Sequence, residues 1–261
     1  MYNPFCRNRP DVSIVMLTWN REKGLAMSLE ALYAALDNSL KHEILIQNNA
    51  STDGTLKLLA QYTGKKETTI INAPDNKGMA AYKRLFNRCK GRIIIEVDDD
   101  VLEFPKNFDR TMVEYLDTYR DYCYLALNVV RNEKTLCGRS YGARPIDAKY
   151  EIDRRGEMCV ERGPAGGWCA AFRNSDYTLI SPVFNCLRIG PGRPEDGALI
   201  GCFLKLLRYR KHGIIMDATC LHATGPYYAK LLGTYDRELE KHLAGTDELV
   251  KRQFLEAKEV K

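Results

Sequence analysis

Short apolar runs alternate with amphipathic segments along the first hundred residues. The runs are rich in β-branched residues and predict buried strands, whereas leucines three and four residues apart predict a helix after the first run. This alternation predicts an α/β fold, with a mostly parallel sheet and helices on both of its faces. The predicted strands are VSIVMLT (12–18), EILIQ (43–47), TTIIN (68–72) and RIIIEV (92–97). The predicted helices cover 22–37, 51–62 and 78–90.

The pattern is less regular after residue 105. The polar stretch 131–163, with its Gly, Arg and Pro residues, is predicted to form loops or short strands that could cover a site. The last thirty residues are charged and predicted to be helical. The other predicted elements are helices over 105–119 and 196–210 and strands over 122–130, 168–172 and 213–218.

Three adjacent aspartates, Asp98, Asp99 and Asp100, follow the fourth predicted strand. Ligands of parallel α/β sheets bind beyond the carboxyl ends of the strands, so the residues after Thr18 and Gln47 should meet these aspartates at one rim. Adjacent carboxylates repel each other unless a cation gathers them. Hard cations such as Mg²⁺ and Mn²⁺ take oxygen ligands. The cluster therefore predicts a divalent metal site, and the alternative is an exposed acidic turn.

The composition favours a globular protein that binds no nucleic acid. Of 261 residues 45% are apolar, and the formal net charge of +5 is a mild surplus that leaves contact with phosphates or a membrane surface open. Nine cysteines include no C-x-x-C pair, which together with their apolar surroundings predicts reduced thiols. No apolar run approaches the roughly 20 residues that span a bilayer. We expect a cytoplasmic protein without a transmembrane segment, with peripheral membrane contact left open.

Four stretches of the chain resemble the large inverting glycosyltransferase family 2, and the first three keep the family's order and spacing. They are SIVMLTWNR (13–21), EILIQNNASTDGT (43–55), NKGMAAYKRLFNRCKGRIIIEVDDD (76–100) and PEDG (194–197). The resemblance implies a GT-A (Rossmann-like) fold with a mostly parallel central sheet and a smaller mixed acceptor-side region. It implies a donor-binding half over 1–105, an acceptor-side half over 106–225 and a C-terminal helical segment over 226–261.

The resemblance implies nucleotide contacts at the ends of the first two strands. It places Thr18, Asn20 and Arg21 near the nucleotide. Asn48 and Asn49 occupy the positions that face the base, where the family usually has at least one Asp. An Asn side chain supplies both a donor and an acceptor, so base binding is retained while the identity of the base stays open. The alternative for Asn49 is a turn residue.

The resemblance also implies a metal site beside the donor sugar. It assigns a ribose or nucleotide contact to Asp98 or Asp99, without deciding between them, and metal coordination to Asp100. A glycine pair that ends at Gly167 is similar to the one beside the donor sugar in metal-dependent GT-A enzymes. His222 follows the last predicted strand, where such enzymes commonly supply a further metal ligand. The alternative for His222 is a structural role.

Three residues are assigned to the acceptor side. Trp168 could stack on a sugar face or belong to the core. Glu195 and Asp196 resemble the family's E-D signature, whose Asp is the general base. A base must lie within hydrogen-bond reach of the acceptor hydroxyl. The alternative is that the two acidic residues only stabilise a helix N-terminus.

These features predict an inverting, Mn²⁺- or Mg²⁺-dependent hexosyl-type transferase. Family frequency alone favours a UDP-sugar donor, and a glycan, a glycolipid or another hydroxyl compound is the acceptor. A sugar-nucleotide nucleotidyltransferase shares the sheet and the aspartates, but it should have a Gly- and Arg/Lys-rich loop after the first strand, where TWNREKG (18–24) contains one glycine. A non-catalytic nucleotide-sugar-binding relative is the third alternative, and the complete set of candidate groups argues against it.

Overall fold

The computed structural model describes residues 9–132, 134–135, 151–190, 194–207, 211–244 and 248–259. Ten strands lie within these residues and belong to one sheet. The first four agree with the predicted strands to within one residue at each end. The strands are β1 (Val12–Thr18), β2 (His42–Asn48), β3 (Thr68–Asn72), β4 (Ile93–Asp98), β5 (Val101–Glu103), β6 (Tyr122–Val129), β7 (Glu151–Arg155), β8 (Met158–Arg162), β9 (Cys169–Arg173) and β10 (Lys211–His222).

The sheet has the order β3-β2-β1-β4-β9-β6-β10-β8-β7, and β5 pairs with β10 outside this path. Strands β3, β2, β1 and β4 are parallel neighbours, as are β6 and β10. Strand β9 lies antiparallel between β4 and β6 and joins the two parallel parts into one sheet. The predicted α/β fold around a mostly parallel sheet is confirmed.

The helices follow the strands where the sequence pattern predicts them, with one addition. Residues predicted as one helix over 78–90 form a short 3-10 helix, Gly78–Ala81, followed by α3. The sequence analysis did not predict α5, which contains Pro182 in its interior, although its buried Tyr177, Ile180 and Phe184 recur at helical spacing. The helices are α1 (Glu22–Ala35), α2 (Thr55–Ala60), α3 (Tyr82–Phe86), α4 (Phe108–Thr118), α5 (Asn174–Cys186), α6 (Glu195–Leu206), α7 (Pro226–Leu232), α8 (Tyr235–Leu243) and α9 (Glu248–Glu259).

The strand register brings the carboxyl ends of β1, β2 and β4 to one edge of the sheet. Thr18 is paired with Asn48, and Leu17 is paired with Asp98. The apolar side chains of these strands are almost wholly buried on both faces, as expected for parallel strands of an α/β sheet. The polar residues that follow β1, β2 and β4 therefore meet at one rim, as the sequence predicts.

The second half of the chain contains the polar stretch predicted to form loops or short strands. The polar stretch predicted over 131–163 ends in an antiparallel pair, β7 and β8, and its residues 133 and 136–150 lie outside the described part of the chain. None of the helices in the described ranges is both long and apolar enough to cross a bilayer.

Candidate functional site

Asp98, Asp100 and His222 bring potential metal-ligand atoms together at the end of β4. Each side chain offers one such atom, and all three atoms lie within 4.8 Å of one another. Nε2 of His222 lies 3.1 Å from Oδ1 of Asp100 and 3.5 Å from Oδ2 of Asp98. The antiparallel pairing of β10 with β5 sets His222 opposite Val101, and the N–H of Ala223 donates to the carbonyl of Asp100 at 2.9 Å. Distant parts of the chain are thus joined by backbone hydrogen bonds.

Burial and charge act together on the titration of this group. Burial, reinforced by the charge of Asp100, raises the pKa of Asp98 to about 6. Burial also disfavours the charged form of Asp100, but Arg21 and His222 outweigh that effect and hold its pKa far below the usual range. The pKa of His222 is lowered by burial and raised more strongly by Asp100, so it lies above its usual value. The negative charge of Asp100 is therefore balanced by Arg21 and by the protonated form of His222.

The three residues fit a divalent cation by the chemistry of their ligand atoms. Oδ1 of Asp100 is buried, and Nε2 of His222 lies 3.1 Å from it, so two potential ligand atoms face each other at hydrogen-bond distance. Carboxylate oxygens suit Mg²⁺ and Mn²⁺, and an imidazole nitrogen adds a ligand that is more typical of transition metals. The set Asp98, Asp100 and His222 therefore differs from the sequence-based assignment only in adding Asp98 as a candidate ligand.

Asp99 lies outside the group of potential metal ligands and pairs with Arg21, which also pairs with Asp100. Its Oδ1 lies 3.5 Å from Nε of Arg21, whose Nη1 lies 2.5 Å from Oδ2 of Asp100. Burial raises the pKa of Asp99 to about 6 in spite of the opposing charge of Arg21. Nη2 of Arg21 lies 2.9 Å from Oε1 of Glu238 in α8. Burial would lower the pKa of Arg21, but the surrounding carboxylates outweigh it, so Arg21 stays charged.

The residues predicted near the nucleotide line or adjoin a cavity of about 350 Å³. Thr18, Arg21, Asn49 and Asp99 line it, whereas the backbone carbonyl of Asn20 accepts from Nη1 of Arg237, which also lines it. Asn49 is buried, and its amide donates to Oδ1 of Asn76 at 2.6 Å while its oxygen accepts from the N–H of Lys77 at 3.2 Å. In this state both amide atoms of Asn49 hold the loop that begins at Asn76.

The turn after β1 is joined to the turn after β2 by hydrogen bonds from Asn20. Its backbone N–H donates to Oγ of Ser51 at 2.9 Å, and its Oδ1 accepts from the N–H of Thr52 at 2.7 Å. Asn20 and Ala50 both have positive φ, 50° and 62°. Asn tolerates this left-handed conformation, whereas for Ala it costs roughly 1 kcal/mol. The strain at Ala50 lies beside Asn49, in the wall of the cavity.

The acceptor-side candidates lie where the loop before β9 meets the start of α6. Oδ2 of Asp196 accepts from the N–H of Gly167 at 3.2 Å, and its Oδ1 accepts from the N–H of Gly197 at 2.5 Å. Burial raises the pKa of Asp196, and these backbone hydrogen bonds oppose the rise. The side chain of Asp196 remains partly exposed, whereas Glu195 is buried and lines a second cavity.

Trp168 lies mostly inside the protein and supports His222. Only 8% of Trp168 is exposed, and its Nε1 donates to the carbonyl of Leu127 at 2.9 Å. Its ring stacks on the imidazole of His222, with 6.1 Å between the centroids and 28° between the planes. These contacts agree with the core alternative for Trp168, and they orient the imidazole.

The second cavity, of about 400 Å³, connects the aspartates with the C-terminal helices. It is lined by polar residues of the rim and by residues of α7 to α9. Its charged and titratable lining residues include Arg21, Asp98, Asp99, Asp100, Glu195, His222, Glu238 and Lys241. Both cavities share Arg21, Asp99, Glu238 and Lys241. Sequence reasoning missed the contribution of α8, because its charged residues look like those of any solvated helix.

Glu96 is a second residue that sequence reasoning missed. Its side chain is wholly buried, and neither carboxyl oxygen has a hydrogen-bond partner within the described residues. A Cβ on Gly167 would lie 3.1 Å from Oε1 of Glu96, so the absence of a side chain at Gly167 makes room for this carboxyl group. Burial and the nearby Glu195 raise the pKa of Glu96 well above its usual value. Burial also raises the pKa of Glu195, to about 8. A charged residue inside the apolar run RIIIEV was the available signal.

Comparisons with known proteins find a matching family model and a partial relative. The model of glycosyl transferase family 2 matches residues 13–178, which is more than half of the chain. The putative glycosyltransferase EpsE of Bacillus subtilis (strain 168) is 34% identical over 117 residues, which cover 43% of this chain and 41% of EpsE. The chain thus matches less than half the length of this relative.

Solved structures with low sequence identity share the fold. The mannosyltransferase PcManGT from Pyrobaculum calidifontis, in complex with GDP-Man and Mn²⁺, has a TM-score of 0.59 at 16% identity, over 97% of this chain and 70% of that chain. TarS 1–349 of S. aureus, in complex with UDP-GlcNAc, has a TM-score of 0.57 at 14% identity, over 94% of this chain and 70% of that chain.

Proposed function

Because the chain belongs to glycosyl transferase family 2, we propose that it transfers a sugar from a nucleotide-sugar donor to an acceptor hydroxyl, with inversion at the anomeric carbon. The observation that carries this proposal is the group formed by Asp98, Asp100 and His222 beside the two cavities. The similarity to PcManGT and TarS, whose structures contain GDP-Man and UDP-GlcNAc, supports a nucleotide sugar as the donor. We retain a UDP-sugar as the first candidate.

In the proposed site Asp100, His222 and Asp98 hold Mn²⁺ or Mg²⁺. Their ligand atoms lie close enough for one ion, and the imidazole favours Mn²⁺ of the two. When bound, such an ion offsets the negative charge that develops on the departing nucleoside diphosphate. Trp168 would keep the imidazole of His222 in place through the stacking contact, as expected for a residue that orients a metal ligand.

The nucleotide would occupy the cavity of about 350 Å³. Asp99 is the better candidate for the ribose, because Asp98 lies with the proposed metal ligands while Asp99 lines this cavity. Thr18 and Asn49 would contact the nucleotide from the strand ends, and Asn20 would hold the connecting turns. Arg21, charged and next to Asp99, would meet the diphosphate. The donor sugar would lie near Gly167, whose backbone N–H donates to Asp196.

Asp196 is the proposed general base. Burial raises its pKa, whereas the N–H groups of Gly167 and Gly197 favour the carboxylate form that a base requires. Burial raises the pKa of Glu195 to about 8, which favours its protonated form, so Asp196 is the better candidate for the base. We propose that Glu195 instead donates a hydrogen bond at the cavity wall. The base removes the proton of the hydroxyl as its oxygen attacks the sugar from the face opposite the diphosphate.

Donor binding and product analysis test this proposal together. A panel of nucleotide sugars is screened for thermal stabilisation with Mn²⁺, with Mg²⁺ and with a chelator. The donor found is then incubated with glycan, glycolipid and small hydroxyl acceptors, and the anomeric configuration of the product is read by NMR. Metal-dependent transfer with inversion is expected. Retention of configuration, undiminished transfer after thorough chelation, or synthesis of a nucleotide sugar from a nucleoside triphosphate would contradict it.

A further inference from the structure

Helix α8 forms one wall of the cavity proposed for the nucleotide. Arg237, Glu238 and Lys241 of this helix line the cavity together with Asn49 and Asp99 of the sheet rim. Glu238 and Lys241 also line the larger cavity that contains the aspartates. Residues of α8 therefore face the same space as the rim, although they lie more than a hundred positions away in the sequence. Glu238 and Lys241 lie where the two cavities meet, because they line both.

Direct contacts hold α8 at this position. Nη2 of Arg21 lies 2.9 Å from Oε1 of Glu238. Nη1 of Arg237 donates to the backbone carbonyls of Trp19 at 3.2 Å and Asn20 at 2.9 Å, and its guanidinium lies 5.6 Å from the centroid of the Trp19 ring. The helix is thereby attached to the loop after β1 by both charge and hydrogen bonds.

The cations of α8 retain capacity for an anion. Nη2 of Arg237 is buried and makes no hydrogen bond within the described residues; its nearest ionic partner, Oε1 of Glu238, lies 3.9 Å away. Burial and the charge of Arg21 both lower the pKa of Arg237. Lys241 is 70% exposed, and its Nζ lies 3.4 Å from Oε2 of Glu238. An anion between Arg21, Arg237 and Lys241 would reduce the repulsion between like charges and satisfy the remaining N–H groups.

We propose that α8 is part of the donor site and that Arg237 and Lys241 bind the phosphate oxygens of the nucleoside diphosphate. Arg presents several donors in a planar fork that matches phosphate, and Lys adds a mobile point charge. Glu238 holds Arg21 beside them. This inference rests on the proposed function, since it names residues of the C-terminal segment that would recognise the same donor.

The test compares each cation with a matched control on α9. Arg237→Gln and Lys241→Gln are compared with Arg252→Gln and Lys258→Gln, whose side chains are exposed and line neither cavity. Dissociation constants are measured with Mn²⁺ for the tightest binder among UDP, GDP, CDP, ADP and dTDP, and for the corresponding nucleoside. Loss of a charge-assisted hydrogen bond should raise the dissociation constant of the diphosphate by about 10- to 100-fold. Binding of the nucleoside, which has no phosphate, should not change.

The outcomes separate this inference from the proposed function. If the wild-type protein binds the diphosphate and both α8 variants bind it equally well, the inference is wrong and the proposed function stands. If both variants weaken the binding of nucleoside and diphosphate equally, α8 only supports the loop after β1 and the inference is wrong. Because Lys241 makes no contact with that loop in the described structure, its variant tests the phosphate contact even if Arg237→Gln disturbs Trp19. A wild-type protein that binds no nucleoside diphosphate would overturn the proposed function as well.

Discussion

The backbone N–H of Gly167 donates a hydrogen bond of 3.2 Å to Oδ2 of Asp196. The next residue, Trp168, accepts from the N–H of Asp98 at 2.9 Å through its carbonyl. Two consecutive residues before β9 thus hold the proposed base on one side and the proposed metal ligands on the other. The relative position of these groups is therefore set by backbone hydrogen bonds, which vary less than contacts between long side chains.

Replacing Asp100 by Asn should abolish transfer and metal-dependent nucleotide binding. The change removes the charge of a proposed metal ligand while keeping its size, and we expect metal affinity to fall about 100-fold or more. Arg21 keeps its contacts with Asp99 and Glu238, so the fold should survive. Calorimetric titration with Mn²⁺ measures the effect. Asp75→Asn is the control, since Asp75 is exposed and pairs with Lys77, and normal metal affinity in Asp100→Asn would exclude Asp100 as a ligand.

His222→Ala should weaken metal binding less than Asp100→Asn does. A neutral imidazole contributes less than a carboxylate to holding a hard cation. Removing the ring also leaves space beside Trp168, on which it stacks. The same Mn²⁺ titration, combined with a thermal unfolding curve of the metal-free variant, separates lost coordination from lost packing. An unchanged metal affinity would return His222 to a structural role.

Metal affinity should rise with pH between about 5.5 and 7.5. Coordination requires ionised Asp98, whose pKa is raised to about 6, and neutral His222, whose pKa lies above its usual value. Both groups hold protons at the lower pH, so the cation must displace them there and binds more weakly. Titration in two buffers of different ionisation enthalpy should detect proton release on binding. Affinity that is constant over this range would show that these two groups do not both bind the ion.

Two glycines should respond to alanine in opposite ways. A Cβ on Gly91 would lie 2.3 Å from the backbone nitrogen of Ser13 and 2.6 Å from the carbonyl carbon of Val12. Because β1 is central and cannot move aside, Gly91→Ala should destabilise the protein by about 1–3 kcal/mol. Gly201 lies within α6 with open space around it, and Gly201→Ala should stabilise by about 0.5–1 kcal/mol. Chemical denaturation measures both, and a stable Gly91→Ala variant would contradict the packing described here.

The first half of the fold was predictable because local patterns there agree with the final structure. Each of the strands β1 to β4 is buried along its apolar side chains, so a short apolar run identifies it. The grouping of polar residues at one rim was also predictable, because neighbouring parallel strands end at the same edge of the sheet. The sequence also predicts that the residues after Thr18 meet the aspartates at this rim, where Arg21 pairs with Asp99 and Asp100.

The second half depended on pairings that no local pattern encodes. The three-residue strand β5 is defined by its pairing with β10, and that pairing carries His222 to Asp100. The cavity residues Arg237 and Lys241 lie on a helix whose sequence only indicates an exposed, charged surface. The role of Glu96 could not be predicted from the apolar run that contains it. Its environment depends on neighbours such as Glu195, which are distant in the sequence.

The turnover of Asp196→Asn, with donor and Mn²⁺ saturating, tests the central claim most directly. Asn keeps the shape and the acceptor for the N–H of Gly167 but cannot take a proton at neutral pH. We expect kcat to fall by about 10²–10⁴ while donor and metal affinity are retained. Glu195→Gln is the matched control and should lose far less, because Glu195 is buried and burial favours its protonated form. Near-normal turnover of Asp196→Asn would remove Asp196 from the chemistry and leave it as a residue that only begins α6.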